Sequence, residues 1–384
     1  VTVPQTPPTS PPTSPPTSST CSLSSRQDFA FSVLNEWYLF PETLPGSLAT
    51  APYTSVQSYI DALTANARAQ GRDRNFTYVT SIREENAYYA SGSTAGFGVR
   101  LVYQGNRVFV IEAFEGAPAL AAGIDRGTEI VAIGTSSSNL QTVNNLMASG
   151  GPQAVVNALG PNTAGVSRVL RINNGGTVSE VTVAKTEFAL DPVSNRYGAK
   201  VLNDGGKLVG YINLRTFIDT ADADLRAAFA NFKSQGVTEV IVDVRYNGGG
   251  LVRIAELFGD LLSANRVGQV FSRTTFRDSK AANNTTKTFA AQTQAIAATK
   301  IAFIGYSGTA SASELVANAF IPYLGTNTAL IGGNTFGKPV GQIAFDRAEC
   351  DDRMRVTAFQ TENRDGQGNY YTGLASVFPR TCAA

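Results

Sequence analysis

The chain has 384 residues, of which 43% are hydrophobic and 16% charged, so it is long enough for two or three domains with sizeable cores. Its formal net charge is +1, which argues against electrostatic capture of nucleic acid or of an anionic membrane surface. The chain contains no histidine, and this excludes any catalytic triad that uses an imidazole as its base.

Residues 1–20 repeat Pro, Thr and Ser, which predicts an extended, disordered tether. Two interpretations of this tether stay open: a spacer from a membrane or cell wall, and a low-complexity tail without a role. Residues 21–92 are predicted to form a helical N-terminal region, because Phe29, Val33 and Trp37 recur at helical spacing. We interpret this region as a small helical cap packed on the rest of the protein.

Residues 93–185 have a different character, with short apolar strands separated by glycine turns. Gly96-Phe97-Gly98 leads directly into one of these strands. The pattern resembles a PDZ domain, in which a Gly-aromatic-Gly loop binds the terminal carboxylate of a peptide that adds as a strand. The resemblance implies that Phe97, Gly98 and Val99 form this loop. The plainer alternative is a turn that merely enters a strand.

Residues 186–384 alternate between buried strands and amphipathic helices, and this alternation predicts an α/β core. The predicted elements are a strand at 208–214, a helix at 222–235, a strand at 240–244, a helix at 252–262 and a strand at 301–304.

A serine-rich segment, residues 309–314, precedes the next predicted helix at 313–320. Ser311 lies where the helix begins, and there the free backbone amides and the helix dipole favour negative charge, as an oxyanion hole requires. A serine nucleophile also needs a base, and without histidine a buried lysine is the remaining choice. Taken alone, the segment is more often an ordinary serine-rich helix cap.

Two further segments favour a catalytic serine over an ordinary helix cap. Residues 241–250 form a buried strand that ends in an Asn-Gly-rich turn, and residues 335–342 place a lysine in a glycine-flanked turn. Together with the serine segment, and in this order, they resemble the carboxyl-terminal processing (tail-specific) proteases, which use a Ser-Lys dyad. The resemblance covers roughly residues 93–345. It implies a multidomain α/β (α+β) fold whose core is a spiral of ββα units, as in crotonases and Clp-type proteases.

The family resemblance assigns the catalytic roles. Ser311 is the nucleophile, Lys338 is the general base, and Gln342 orients the lysine amine without adding a charge. An ordinary lysine has a pKa of about 10.4 and is a cation at neutral pH, so Lys338 must be buried to act as a base. Its apolar neighbours in the sequence are suited to bury it.

The oxyanion hole is assigned to the backbone amide of Ala312 and to one amide of the 241–250 turn. Gly248 is favoured for the second amide, with Gly249 as the alternative. Asp243 and Glu314 are also close to these segments in the sequence. We interpret them, together with Arg245, as structural residues that hold the turn and the helix.

The sequence departs from the family pattern in three places, one of which is the C-terminal region with Cys350 and Cys382, which lies outside the common pattern. The spacing from Ser311 to Lys338 is about two residues longer than usual, so Ser313 becomes the nucleophile unless the turn at 322–327 absorbs the extra length. Pro339 stands where glycine is usual, and it restricts the backbone beside the base.

The three cysteines are Cys21, Cys350 and Cys382. Cys350 and Cys382 flank a polar, glycine-rich segment, so we expect a disulfide between them, although pairing of Cys21 with either one stays open. A disulfide would indicate an oxidising compartment. Three dispersed cysteines without histidine argue against a zinc site, and we expect no cofactor.

The sequence therefore predicts a serine endopeptidase that forms an acyl-enzyme and binds the free C-terminus of a protein or peptide substrate. The predicted location is the periplasm or another extracytoplasmic space, with anchorage through the N-terminal tether as one option. No nucleic-acid or metal partner is predicted, and the oligomeric state is not addressed. Two alternatives remain: a catalytically silent PDZ-bearing binding protein, and a crotonase-like thioester enzyme, for which no basic cluster indicates a CoA groove.

Overall fold

The structure is a computed structural model that describes residues 19–383, so almost all of the predicted tether lies outside the described residues. Helices and one strand form the N-terminal region. Its elements are α1 (Leu23–Trp37), α2 (Val56–Leu63), α3 (Ala65–Ala69), β1 (Tyr78–Ser81) and α4 (Ile82–Ser91). From residue 19 to residue 383, no helix is long and apolar enough to cross a membrane.

The next part of the chain is an antiparallel unit bracketed by a two-stranded ribbon. Its elements are β2 (Ser93–Gly96), β3 (Val99–Gln104), β4 (Arg107–Ala113), α5 (Pro118–Ala121), β5 (Glu129–Gly134), β6 (Gln141–Thr142), α6 (Val143–Leu159), β7 (Ser167–Asn174), β8 (Thr177–Ala184) and β9 (Thr186–Ala189). β2 pairs with β9, so the chain enters and leaves the unit side by side. The main sheet has the order β3-β4-β5-β7-β8, with β6 beside β5. The unit has its own apolar core.

The remainder of the chain alternates strands and helices, as the sequence predicts, and gives the protein a mixed α/β fold. Its elements are β10 (Ala199–Asp204), β11 (Lys207–Asn213), α7 (Ala221–Ser234), β12 (Glu239–Asp243), α8 (Val252–Leu261), β13 (Val270–Phe276), β14 (Thr285–Thr288), β15 (Lys300–Gly305), α9 (Ala312–Leu324), β16 (Thr328–Gly332), β17 (Val340–Arg347), β18 (Asp352–Glu362) and β19 (Thr381–Ala383).

A six-stranded sheet with the order β10-β11-β12-β15-β16-β19 forms the centre of this part. All neighbours from β11 to β19 are parallel, and only β10 runs antiparallel. Central strands of such a sheet are covered on both faces, which explains their runs of valine, isoleucine and phenylalanine. The largest apolar core of the described residues joins these strands to α7, α8 and α9.

Helix α9 extends into the turn expected at residues 322–327, because it continues through Pro322 to Leu324. A proline inside a helix leaves the carbonyl four residues earlier without its usual partner. Here the Asn363 side chain donates to that carbonyl, Asn318 O, at 3.3 Å. A distant side chain thus replaces the helical hydrogen bond.

A second, antiparallel sheet has the order β1-β18-β13-β14, with β17 on the other side of β18. It joins the N-terminal region to the rest of the protein, because β1 pairs with β18. Leu34 and Ile60 of the N-terminal helices share an apolar core with Val340 and Val356 of this sheet. The N-terminal region therefore packs on the strands that follow the candidate lysine.

The prediction of a disulfide between Cys350 and Cys382 is wrong. Cys350 is bonded to Cys21 instead, and Cys382 is an exposed free cysteine. Cys382 lies on β19 beside β16, at the edge of the parallel sheet. Cys350 lies in the turn between β17 and β18, against which the N-terminal region packs. Proximity along the chain was therefore a poor guide to proximity in space.

Candidate active site

Three turns converge at one edge of the parallel sheet. β12, β15 and β16 are parallel neighbours, so their carboxyl ends lie side by side. Each strand runs into a turn: the glycine turn (residues 244–250), the serine turn (residues 306–311) and the lysine turn (residues 333–339). The carboxyl edge of such a sheet is where α/β proteins commonly place their ligands. The fold thus brings the three predicted segments together.

Backbone hydrogen bonds fasten the serine turn to both of its neighbours. The Ala310 N–H donates to the Asn247 carbonyl at 3.0 Å, which joins it to the glycine turn. The Phe336 N–H donates to the Thr309 carbonyl at 2.8 Å, which joins it to the lysine turn. The relative placement of the three turns is therefore fixed by the main chain.

Ser311 has a backbone conformation that non-glycine residues seldom adopt. It precedes α9 with φ 56° and ψ −116°. Such a residue costs on the order of 1–3 kcal/mol, and this kind of strain concentrates at functional sites. Four non-glycine residues between 19 and 383 have a positive φ, and three of them, Asn75, Tyr246 and Ser311, belong to segments that border this site. The Ser311 residue is half-buried.

The alternative serine has a different environment. Ser313 is 1% exposed, and its hydroxyl donates to the Asn247 carbonyl at 3.0 Å. A hydroxyl that is buried and already engaged is poorly placed to meet a substrate. The geometry therefore favours Ser311 over Ser313 as the residue at the sheet edge.

Glu314 links the serine turn to the lysine turn. One carboxylate oxygen, Oε2, accepts from the Ser311 N–H at 2.9 Å and from the Lys338 N–H at 2.7 Å. The other oxygen, Oε1, accepts from the Gly337 N–H at 2.7 Å and from the Thr335 hydroxyl at 2.6 Å. Burial raises the pKa of this fully buried carboxyl, while these four donors lower it. Glu314 is therefore structural, as expected, and it also fixes the distance between two predicted catalytic residues.

Lys338 meets the requirement for a base. Part of the residue remains accessible, but its amine is enclosed by protein, and burial lowers the pKa to about 8. The negative charges of Asp73 and Glu314 act in the opposite direction, whereas Arg355 lowers the pKa further. At pH 7 roughly one amine in ten is neutral, since the two forms are equal at the pKa.

Gln342 holds the Lys338 amine, as the family resemblance implies. The lysine Nζ donates to Gln342 Oε1 at 2.8 Å, and Gln342 Nε2 in turn donates to the Phe76 carbonyl. Gln342 follows an irregularity in the pairing of β17 with β18, and such bulges redirect side chains. The Phe76 ring centroid lies 5.0 Å from the Lys338 Nζ.

The serine hydroxyl and the lysine amine are not hydrogen-bonded to each other in the described part of the chain. Within residues 19–383, the hydrogen bonds of Lys338 Nζ include none to the Ser311 hydroxyl. Their backbone amides, however, both bind the same Glu314 oxygen, so the two residues are near neighbours. Catalytic hydrogen bonds of this kind are often long in the absence of a substrate.

The predicted oxyanion-hole residues lie together beside Ser311. A Cβ atom on Gly249 would come within 2.8 Å of the Ser311 Cβ and 2.9 Å of the Ala312 N, so only glycine allows this approach. The Gly249 N–H donates to the Asn247 side chain at 2.9 Å and is therefore occupied. Across residues 19–383, no hydrogen bond engages the N–H of exposed Gly248 or of Ala312. The geometry therefore favours Gly248 over Gly249.

Asp243 and Arg245 stabilise the glycine turn. Asp243 is fully buried and accepts from the Tyr211 hydroxyl at 2.7 Å and from the Arg245 Nη2 at 2.7 Å. These contacts agree with their interpretation as structural residues.

The predicted carboxylate-binding loop lies in the antiparallel unit. Phe97 is only 6% exposed, and its ring belongs to the core of that unit. Gly98 has φ +78°, and a Cβ there would lie 2.0 Å from the Ala117 Cβ. Val99 begins β3, which is an edge strand of the sheet. The loop thus offers its backbone, rather than the Phe97 ring, to any ligand.

Sequence reasoning missed the contribution of the N-terminal region to the site. Residues 73–77, which we call the N-terminal turn, lie against the lysine turn. Arg74 Nη2 donates to the carbonyls of Phe336 and Gly337 at 2.5 and 2.6 Å, and Phe76 contacts Lys338 and Gln342 as described. Nothing local in the sequence signals these contacts, since the partners are more than 260 residues apart.

Comparison with known proteins finds similarity to peptidases. Residues 208–374 match the model of peptidase family S41. The chain is 28% identical over 267 residues to a carboxyl-terminal-processing protease of Picosynechococcus, covering 67% of this chain and 57% of the relative. It is 30% identical over 292 residues to a chloroplastic C-terminal processing peptidase of Tetradesmus obliquus, covering 71% and 57%. The chain thus spans little more than half the length of these curated relatives.

Two solved structures share the fold. An S41 protease of Bacteroides fragilis superposes with a TM-score of 0.68 at 21% identity, covering 92% of this chain and 90% of the other. The photosystem II D1 C-terminal processing protease superposes with a TM-score of 0.56 at 20% identity, covering 92% and 91%. The mixed α/β fold is therefore that of the S41 proteases. The chain is thus similar to carboxyl-terminal processing proteases in sequence and to S41 proteases in fold.

Proposed function

We propose that this protein is a serine endopeptidase in which Ser311 attacks peptide bonds and Lys338 acts as the base. The observation that carries the proposal is the buried Lys338 amine, whose pKa is about 8 and whose backbone is tied to Ser311 through one Glu314 oxygen. The match of residues 208–374 to peptidase family S41 and the similarity to carboxyl-terminal processing proteases support peptide-bond hydrolysis as the reaction.

Acylation uses the neutral amine. Lys338 accepts the hydroxyl proton while Ser311 Oγ forms a bond with the carbonyl carbon of the substrate. The negative charge passes to the carbonyl oxygen, which the N–H groups of Gly248 and Ala312 are placed to stabilise. When the C–N bond breaks, the Lys338 ammonium gives its proton to the departing amine, and an ester of Ser311 remains.

Deacylation repeats the proton transfers with water. Lys338, neutral again, accepts a proton from a water molecule whose oxygen attacks the ester carbon. The C–O bond to Ser311 breaks, and the proton returns to the serine oxygen. The products are a new C-terminus and the free enzyme. Gln342 keeps the amine oriented through both steps.

We propose further that the unit of residues 93–185 is a PDZ-like domain that binds substrate C-termini. Its edge strand β3 has a free side for an added peptide strand, and the Phe97-Gly98-Val99 loop precedes it. The names of the curated relatives, which are carboxyl-terminal processing proteases, support this specificity.

Contacts between this unit and the glycine turn support communication between peptide binding and catalysis. Arg215 is 1% exposed and forms ion pairs with Glu112 and Glu115 of the unit at 2.6 and 2.5 Å. Two residues later, the Phe217 N–H donates to the Gly249 carbonyl at 3.0 Å. A shift of the unit would therefore reach the glycine turn that carries Gly248.

We place the protein in an oxidising, extracytoplasmic compartment. The Cys21–Cys350 disulfide supports this location, because such bonds persist mainly outside the reducing cytosol. Anchorage through residues 1–20 is part of the same proposal.

The direct test compares two serine variants. Ser311→Ala should lower kcat for peptide cleavage at least about a thousand-fold, because only binding and the oxyanion hole remain. Ser313→Ala serves as the matched control and should keep most of the activity. Loss with Ser313→Ala but not with Ser311→Ala would move the nucleophile by two residues. Binding of peptide without any cleavage by the wild type would identify a silent binding protein.

A further inference from the structure

The two peptide groups that precede Lys338 are held from both ends by opposite charges. On the N–H side, the amides of Gly337 and Lys338 donate to the two oxygens of Glu314, each at 2.7 Å. On the C=O side, the carbonyls of Phe336 and Gly337 accept from Arg74 Nη2 at 2.5 and 2.6 Å. The N–H and C=O of one trans peptide point in opposite directions, so each group is bonded at both ends.

Arg74 has further contacts that fix it in place. Its guanidinium lies 4.1 Å from the centroid of the Phe336 ring, a cation–π distance. Burial lowers its pKa, and the charge of Glu314 raises it. Because arginine keeps its proton at any accessible pH, Arg74 stays a cation here.

The N-terminal turn that carries Arg74 is itself rigid. Asp73 is fully buried, and its carboxylate accepts from the Phe76 N–H at 2.6 Å, the Thr77 hydroxyl at 2.7 Å and the Tyr38 hydroxyl at 2.8 Å. The same turn places the Phe76 carbonyl against Gln342, the partner of Lys338. One rigid turn thus supports both the backbone of the lysine turn and the amide that orients the amine.

We propose that Arg74 is a positioning residue for the base: it holds the lysine turn against Glu314 and so sets the place of the Lys338 amine beside Ser311. This inference rests on the proposed function, and it adds a residue of the N-terminal region to the machinery. The hydrogen bonds of Arg74 to the lysine turn go to main-chain carbonyls, so its effect passes through the backbone.

The test compares Arg74→Met, Arg74→Lys and a control, Arg72→Met. Arg72 lies two residues away and pairs with Glu42 at 2.5 Å, outside the lysine turn. Arg74→Met should lower kcat by about 10- to 100-fold with little change in KM, because a displacement of about 1 Å at a catalytic group has such an effect. Arg74→Lys, which keeps a charged donor, should restore part of this loss. Arg72→Met should match the wild type.

The pH profile separates positioning from general damage. The charged groups that act on Lys338 are Asp73, Glu314 and Arg355. In Arg74→Met, a loosened turn admits water to the Lys338 amine, and hydration of the charged form raises the Lys338 pKa. The rising limb of the rate should therefore move to higher pH in Arg74→Met and stay in place in Arg72→Met. Unchanged kcat and an unchanged limb in Arg74→Met would overturn the proposal.

A second readout does not need catalysis. NMR of side-chain-labelled lysines, with the Lys338 signal assigned by its absence in Lys338→Arg, reports the titration of the amine directly. If the wild type cleaves no peptide, the proposed function fails, but a Lys338 titration displaced in Arg74→Met alone still supports the positioning role. An identical titration in all variants refutes it. If Arg74→Met does not fold, Arg74→Lys carries the same comparison.

Discussion

Lys185 and Lys338 are two lysines whose pKa burial lowers to about 8, yet their surroundings differ. Lys185, in the antiparallel unit, is 2% exposed, and its Nζ donates to Gly160 O, Pro161 O and Asn162 Oδ1 at 2.7, 2.9 and 3.0 Å. Three acceptors use all three protons of an ammonium group and favour the charged form.

Among residues 19–383, the Lys338 amine has a single hydrogen-bond acceptor, the Gln342 oxygen, and part of the residue remains accessible. Its amine can therefore lose a proton without leaving several acceptors unpaired. A lowered pKa alone does not identify a base. The number of acceptors around the amine distinguishes the two lysines.

The largest expected effect comes from replacing each lysine by arginine. Lys338→Arg should lower kcat at least about a thousand-fold, since arginine cannot give up its proton. Lys185→Arg keeps a charged donor and should leave kcat almost unchanged. Peptide-cleavage kinetics of the two variants measure this difference.

The pH dependence of the cleavage rate should depend on Lys338 and not on Lys185. The neutral Lys338 amine is the active form, so the wild-type rate should rise with pH through about 8 and fall as the pH drops below it. Lys185→Arg should show the same rise of the rate with pH. Substantial activity in Lys338→Arg would contradict the role of Lys338 as the base. Loss of the rise in rate with pH in Lys185→Arg would contradict the structural role of Lys185.

An intermediate effect is expected from the unit that contains Lys185, and it should appear in KM. A peptide offered as its amide loses the terminal charge and should bind about tenfold more weakly than the free acid, since a hydrogen bond to a charged group contributes about 1.5–3 kcal/mol. Gly98→Ala should erase the difference, because a Cβ at that position meets the Ala117 Cβ.

Gly105→Ala is the matched control for this experiment. Gly105 also has a positive φ, but an added Cβ there meets nothing within 4 Å. The Gly105→Ala variant should therefore keep the preference for the peptide with a free C-terminal carboxylate. Equal KM values for acid and amide with the wild type would reject recognition of the C-terminus.

The smallest effect on activity is expected from the disulfide. Cys21→Ser should destabilise the folded state by about 2–4 kcal/mol. It should also loosen the N-terminal region, which packs beside the Lys338 amine. The Lys338 titration should then move slightly upward while that of Lys185 stays in place. Thermal unfolding and lysine NMR measure both quantities, with Cys382→Ser as the control because Cys382 is free. A shift of both lysines would show that the loosening is general.

The parts of the fold and of the candidate site that could be predicted from the sequence depend on local sequence patterns. The strand and helix alternation of residues 208–304 follows from apolar spacing, and the turns around Ser311 and Lys338 follow from short motifs. The Cys21–Cys350 bond and the contacts of Arg74 could not be predicted, because each joins residues more than 260 positions apart. Such contacts are decided by how the N-terminal region packs on β17 and β18, which no local pattern encodes.

The Cys21–Cys350 bond encloses nearly the whole chain in one covalent ring, since the two cysteines are 329 positions apart. Every exposed loop of the antiparallel unit and of the glycine and serine turns lies inside this ring. A single cut at any of them, by this protein or by another protease, would leave both pieces joined as one molecule. Nicking would therefore pass unnoticed on a non-reducing gel, and a nicked molecule would keep its N-terminal turn beside Lys338.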